Sequence, residues 1–402
     1  MIKKTLYKIN FAVLLQQQRY IVAISFLFYL ANGLTLADFL LFQSIFYFTG
    51  LIAEIPAGYI GDIFPRKNVL IFSYLLFMVR IILWITMPNY YTILLGEILY
   101  GLSKAFYRGV SDSYIYDYLK ANNATELMPN KYGKFNFFMS TGSAISCLLG
   151  AWLFKYVGFS VLLGFELFFN STAVFVLFFL PQIPQTKNNV AFKDHFMKIF
   201  NIVKNTMKNS QLNIYLIYAG ILTGITSVFV WNFQPFMKNC LIPVALFGVV
   251  YFVNHMLRAL GSISSNIILN KISLEKVACV VWFLYLMSFL FLWKATDYTG
   301  IWVCLSTLMF ICLAIGVQMI FNVGNISRIH GLIPSDNRAT ISSINSMLAS
   351  LFSGTFLMIF KSMSGNSSIK TSLSAFIIFF LFTVFIVIGI LINKKNQQAE
   401  ET

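Results

Sequence analysis

Apolar runs long enough to cross a membrane recur along this chain, and no other feature of it so narrows the folds available. A helix needs roughly 20 mostly apolar residues to cross a bilayer. Twelve such stretches are read at roughly 19–37, 39–60, 69–88, 91–115, 135–155, 158–180, 212–235, 243–269, 277–294, 299–325, 338–360 and 372–392. Charged residues supply only 11% of the chain, against about 25% in soluble domains. Backbone in lipid must satisfy its own hydrogen bonds, so these runs read as helices. The expected class is an all-α membrane protein with twelve transmembrane helices. The longest Lys-rich polar stretch, Gln185 to Gln211, falls between the sixth and seventh runs. Two six-helix bundles are therefore expected, at 1–182 and 211–402, joined by a central loop at 183–210.

Basic residues orient the chain. With both termini in the cytoplasm, 20 Lys and Arg fall in inner segments, among them Arg19, Arg66, Lys67, Lys120 and Lys198. Five fall outside: Lys155, Lys238, Lys294, Lys361 and Lys370. Arg80, Lys104, Arg108 and Arg258 lie within spans. The net charge of +15 thus reads as a topology signal and a contact with anionic lipid. It is spread over many short loops, which argues against a nucleic-acid surface. The start of the chain does not read as a cleaved signal, because QQQR interrupts the short run FAVLL and no small-residue cleavage site follows. The five cysteines form no CxxC pair and read as packing residues. Richness in Asn, Lys, Ile and Phe suggests a bacterial gene, and hence the inner membrane.

No HExxH or GxSxG is present, and the three histidines stand far apart, so enzyme chemistry is not expected. Neither is a cofactor or metal. No filter loop or repeated ring of charges suggests a channel. A transporter built from two halves fits the pattern.

A charged knot interrupts the apolar pattern between the second and third runs. It reads Gly58-Tyr59-Ile60-Gly61-Asp62-Ile63-Phe64-Pro65-Arg66-Lys67-Asn68-Val69-Leu70. Gly58 and Gly61 share a helix face and would permit close helix approach, and Pro65 stops the helix. The stretch resembles the signature G-x-L-A-D-R-x-G-R-K-x-x-L of the major facilitator superfamily. Gly58, Asp62, Arg66, Lys67 and Leu70 match it. Pro65 replaces a glycine and Ile63 a basic residue. At the corresponding loop of the second half, Gly261 to Lys271 keeps the glycine and the lysine but lacks the acid. PSDNRAT, Pro334 to Thr340, is also similar to the family; Ser335 or Asp336 would cap the eleventh helix there.

The fifth run holds Gly142-Ser143-Ala144-Ile145-Ser146-Cys147-Leu148-Leu149-Gly150-Ala151, where family exporters carry G-x-x-x-G-P-x-x-G-G. It reads either as a decayed antiporter motif or as small-residue packing. The fourth run reads Glu97-Ile98-Leu99-Tyr100-Gly101 where proton-driven members often carry R-x-x-Q-G, so an acid replaces the arginine. Glu97, Lys104, Arg108 and Asp112 share one helical face. Charges inside a membrane usually face a cavity and pair. Arg108 with Asp112 is the expected i,i+4 pair, and Lys104 is a candidate partner for Glu97. Glu54, Arg80, Glu166, His255 and Arg258 complete the expected coupling and substrate cavity.

The resemblance implies a secondary transporter, specifically a proton-coupled exporter of a small amphipathic compound such as an antibiotic, or a small peptide of the microcin kind exported for self-protection. It is expected to work as a monomer. A symporter or uniporter importing a sugar or other nutrient is the alternative, and a transporter-like sensor or assembly subunit is a third. Glu54 is the expected proton carrier, with Glu97 its rival. The knot is expected to latch the cytoplasmic side: Asp62 would face the eleventh helix near Ser335, and Arg66 would pair with Asp117 and release it on opening.

Overall fold

Every regular element is helical among the residues that the computed structural model describes, which are 2–183, 197, 209–295, 300–333 and 338–364. In chain order the α-helices are α1 (Ile2–Gln16), α2 (Ser25–Ala31), α3 (Leu36–Ile63), α4 (Arg66–Thr86), α5 (Tyr90–Ala121), α6 (Met128–Phe178), α7 (Ser210–Asn239), α8 (Val244–Leu269), α9 (Leu274–Ala295), α10 (Ile301–Gly331) and α11 (Arg338–Ser364). Eight of these are long and apolar enough to cross a membrane. Side-chain caps fix several starts. Thr35 and Asp38 form a reciprocal capping box at α3, and Asn89 and Thr92 do so at α5. Asn209 accepts from the Gln211 and Leu212 N–H groups at α7. Pro65 stands just before α4.

The 51 residues of α6 would extend to ~76 Å at the helical rise, more than twice the ~30 Å hydrocarbon core. Gly158 divides it with φ +71° and ψ −177°, a conformation that glycine adopts without a Cβ clash. The division falls at the boundary expected between the fifth and sixth spans.

The start of the chain departs from expectation. The first helix begins at Ile2, not near residue 19, and the helical path is broken before α2. Between α1 and α2 lie a non-helical stretch and a short 3-10 turn, Val22–Ile24. Gln16, Gln17, Gln18 and Arg19 are all buried there. Arg19 is therefore not an inner-loop charge: its guanidinium lies 5.0 Å from the Phe77 ring and 5.1 Å from the Tyr100 ring, and it donates to the Tyr100 hydroxyl. A hydropathy reading places the polar QQQR run outside the membrane because it ignores burial against other helices.

Interrupted helix inside a membrane survives only where protein satisfies its backbone, and here it does. The Ile21 N–H donates to Glu166 Oε1 at 2.7 Å, and Ser146 Oγ donates to the Gln17 carbonyl at 3.1 Å. From α7, Gln234 accepts from the Phe26 N–H and donates to the Val22 carbonyl, both at 2.8 Å.

One large apolar cluster joins the two sets of helices, α1–α6 and α7–α11. It runs from Tyr20 to Phe360 and includes Phe39, Trp84, Phe233 and Phe289. Phe39 packs on Trp231, with ring centroids 5.8 Å apart. Further along, the core divides. One cluster holds only residues of the first set with the segment after α6, such as Leu6, Val69, Val110 and Leu177. Another holds Leu212, Leu216, Ile329 and Ile341 of the second. The sets thus meet at one end and part toward the end where α3 stops and α11 starts.

Of the two knot glycines, only Gly61 sits at a tight crossing: a Cβ there would lie 2.9 Å from Val110. At Gly58 it would meet nothing within 4 Å, although a Cβ at Gly109 of α5 would lie 3.9 Å from the Gly58 backbone nitrogen. The twelfth expected span, most of the 183–210 loop and Ser335 lie outside the described residues.

Candidate functional site

Where the sets part, they enclose a cavity of about 820 Å³. Helical periodicity builds its walls. From α5 come Glu97, Tyr100, Lys104, Arg108 and Asp112, spaced by three or four residues, and from α3 come Gln43, Tyr47 and Glu54. Arg80 enters from α4. Opposite stand Trp231 of α7, then Asn254, His255 and Arg258 of α8. Ser342, Ser343 and Ser346 of α11 line the wide end with Ser113 and Asn136. At the other end the cavity stops against inter-set contacts. Ser227 Oγ donates to the Tyr47 hydroxyl at 3.1 Å and Trp231 Nε1 donates to it at 3.3 Å.

Eight of the nine residues expected in the cavity line it: Glu54, Arg80, Glu97, Lys104, Arg108, Asp112, His255 and Arg258. Glu166 does not. It is fully buried, and its carboxylate holds the first-helix break at Ile21. Glu97 pairs with Arg80, not with Lys104. Arg80 Nη2 stands 3.4 Å from Glu97 Oε1, which also accepts from the Tyr29 hydroxyl at 2.9 Å. The Arg80 guanidinium lies over Trp84, 3.8 Å from the ring centroid, a favourable cation–π position. The ammonium of Lys104 sits 5.7 Å from the Tyr100 ring and 5.8 Å from the Tyr107 ring.

The expected Arg108–Asp112 pair does not form. Asp112 accepts from Ser111 at 3.2 Å, whereas Arg108 is exposed to the cavity and its charge acts on Glu54 across from α3. Among the described residues Glu54, Lys104, Arg108 and Arg258 each lack an ion pair within 4 Å. Sequence reading missed Tyr47, Trp231, Asn254 and the α11 serines. Aromatic and small polar residues occur in every span, so composition could not single them out. The QQQR run was the available signal for Arg19.

Arg66 Nε stands 3.1 Å from Asp117 Oδ2, both partly exposed. Lys67 donates to the carbonyls of Phe178 at 2.6 Å and Leu180 at 2.8 Å. The knot thus ties α4 to α5 and to the end of α6. All these partners belong to the first set and its following segment. The Arg66–Asp117 pair expected of the knot is made.

The small residues of the fifth span face the first-helix break. A Cβ at Gly150 would come 2.0 Å from the Tyr20 carbonyl oxygen, and one at Gly142 would come 2.8 Å from that of Leu14. Ser143 donates to Gln17 Oε1 at 3.1 Å. Of the two readings of this stretch, packing is the one with direct contacts.

Residues 9–356 match the family model described as Major Facilitator Superfamily. No curated protein matches the chain significantly. Several solved structures share the fold at low identity. The nucleoside transporter NupG is similar at TM-score 0.78 and 11% identity, over 97% of this chain and 99% of that one. The POT family transporter PepTSo gives 0.75 and 13%, over 98% of each chain. A bacterial homolog of the human lysosomal transporter Spinster, inward-facing and unoccupied, gives 0.68 and 13%, over 90% of this chain and 82% of that one.

Proposed function

The chain belongs to the Major Facilitator Superfamily and is a multi-pass secondary transporter of that kind; from this premise we propose that it couples proton movement on Glu54 to export of a small amphipathic compound, such as an antibiotic or a small peptide, across a bacterial inner membrane. The observation that carries this reading is the cavity between the helix sets. It is closed at one end, it opens at the end bearing the basic knot, and it holds an unpaired carboxylate beside aromatic side chains. By the distribution of basic residues the open end is cytoplasmic, with both termini on that side. A cavity open to the cytoplasm loads the compound from within, and rocking of the sets would release it outside. Glu54 is buried, lies in an apolar helix and has Arg108 nearby, so its charge and the conformation would bias each other. The protein acts as a monomer, with its basic loops against anionic lipid.

One observation favours a second reading. The unpaired Lys104, Arg108 and Arg258 would attract an anion, and an anion on Arg108 would weaken that residue's hold on the Glu54 carboxylate. Anion and proton would then bind together, which is symport and uptake. The test is purified protein in liposomes with an imposed pH gradient and a fluorescent amphipathic dye. Export requires dye and protons to move in opposite directions, and Glu54→Gln is expected to abolish uphill movement while leaving downhill exchange. Movement in the same direction would establish symport. Uphill transport that persists in Glu54→Gln but fails in Glu97→Gln would move the coupling role to Glu97. A protein that moves nothing would point to a sensor or assembly subunit.

A further inference from the structure

The cavity charges do not balance, and the imbalance has a location. Arg80 and Glu97 neutralise each other in one wall. Asp112 has Ser111. What remains is Glu54 and Asp112 against Lys104, Arg108 and Arg258, all cavity-lining; Glu54 and the three cations are without an ion pair among the described residues. The wall made by α7 and α8 is one-sided: it presents Arg258 and His255 and no carboxylate. The only described acid in α7–α11 is Glu275, and it is taken by Arg328.

A cation facing an open, wet cavity is tolerable. The same cation in an occluded cavity has lost its water and still lacks a counter-charge, which is costly. Alternating access passes through such a state. Glu54 and Asp112 can compensate two of the three cations, but both sit on the opposite set from Arg258. A planar guanidinium with its donors free is suited to a carboxylate or a phosphate. Tyr47 and Trp231 line the same cavity as Arg258, and Trp231 donates to the Tyr47 hydroxyl.

We propose that the ligand of this cavity carries an anionic group, a carboxylate or phosphate, held between Arg258 of the second helix set and Lys104 of the first, with its apolar body against Tyr47 and Trp231. This rests on the cavity being the transport site and specifies its substrate class. An anion that binds both sets would favour the closed, occluded arrangement, because only there do both cations reach it. It holds for export and for uptake alike.

Four of the native cysteines are buried and Cys279 is exposed, so a Cys279→Ser background carrying Ser343→Cys gives one reporter in the cavity mouth. Its rates with a sulfonate-bearing and a quaternary-ammonium methanethiosulfonate, each divided by the rate at a surface cysteine, read the local potential. The anionic reagent is expected to be favoured, and Arg258→Gln is expected to cut that preference at least threefold, with recovery in Arg258→Lys. Binding is measured with 1-naphthylacetate, 1-naphthyl phosphate, neutral 1-naphthylacetamide and cationic 1-(1-naphthyl)ethylamine. The two anions are expected to bind at least tenfold tighter than the amide, to lose that advantage in Arg258→Gln and in Lys104→Gln, and to protect the reporter. Their relative affinities distinguish carboxylate from phosphate. Preference for the amine, or anion binding indifferent to both substitutions, overturns the proposal. Anions that bind tightly without protecting the reporter would instead overturn the cavity as the transport site.

Discussion

Arg80 and Glu97 show how a charge pair is made tolerable inside a membrane. Each is buried, they face each other at 3.4 Å, and Tyr29 and Trp84 supply a hydrogen bond and a π face. Removing one member leaves the other uncompensated, at a cost of about 3–5 kcal/mol. Glu97→Gln and Arg80→Gln should therefore each lower the melting temperature of the purified protein clearly, and the double variant should recover part of the loss. Additive losses would mean that the pair is not coupled. The acid at 97 was legible in the sequence as a departure from the family pattern. Its partner was not, because Lys104 is close in sequence whereas Arg80 becomes close only when α4 packs on α5.

Among the elements, the broken first helix is the most informative. Its interruption is held by Glu166, Ser146 and Gln234 from two other helices, and its neighbour α6 comes close enough to do this because Gly142 and Gly150 have no side chains. Gly150→Ala would place a Cβ at 2.0 Å from backbone oxygen, which no rotamer change relieves. It should destabilise the protein by about 1–3 kcal/mol. Gly58→Ala meets open space and should leave the melting temperature unchanged, although Gly58 is the signature position. Equal stability of the two variants would refute the packing assignment. Eight of the twelve expected spans correspond to described helices within several residues at each end, and two more share α6, divided at Gly158. Long apolar runs have one favourable solution in lipid, which is why they could be read.

At the scale of the whole molecule, the end closed by inter-set contacts depends on Gln234, whose amide bonds both Val22 and Phe26 across the two sets. Gln234→Leu takes this partner from the Phe26 N–H and leaves the Val22 carbonyl only the Ser25 hydroxyl at 3.3 Å while that end stays closed, at about 1–3 kcal/mol for a buried group left unsatisfied. When the end opens, water can satisfy them. The substitution should therefore shift the population toward opening at that end. A short bifunctional maleimide bridging Phe39→Cys and Trp231→Cys reports closure. Its yield should fall several-fold in Gln234→Leu, and an unchanged yield would show that the contact does not hold the end shut. The knot, by contrast, makes its Arg66 and Lys67 contacts to Asp117, Phe178 and Leu180. Its Arg66–Asp117 pair is partly exposed and worth about 0–1 kcal/mol.

The sequence by itself determined the membrane-spanning helical class, the family signature at Gly58 to Leu70, and the charged face of α5, because these depend on hydropathy, local chemistry and helical period. Only the tertiary structure decided which charges pair. It put Arg19 in the core, moved Glu166 from the cavity to the helix break, gave Glu97 to Arg80 and left Arg258 without a carboxylate. A charge in low dielectric is governed by its neighbours in space within a few ångströms, and those neighbours come from helices distant in the chain.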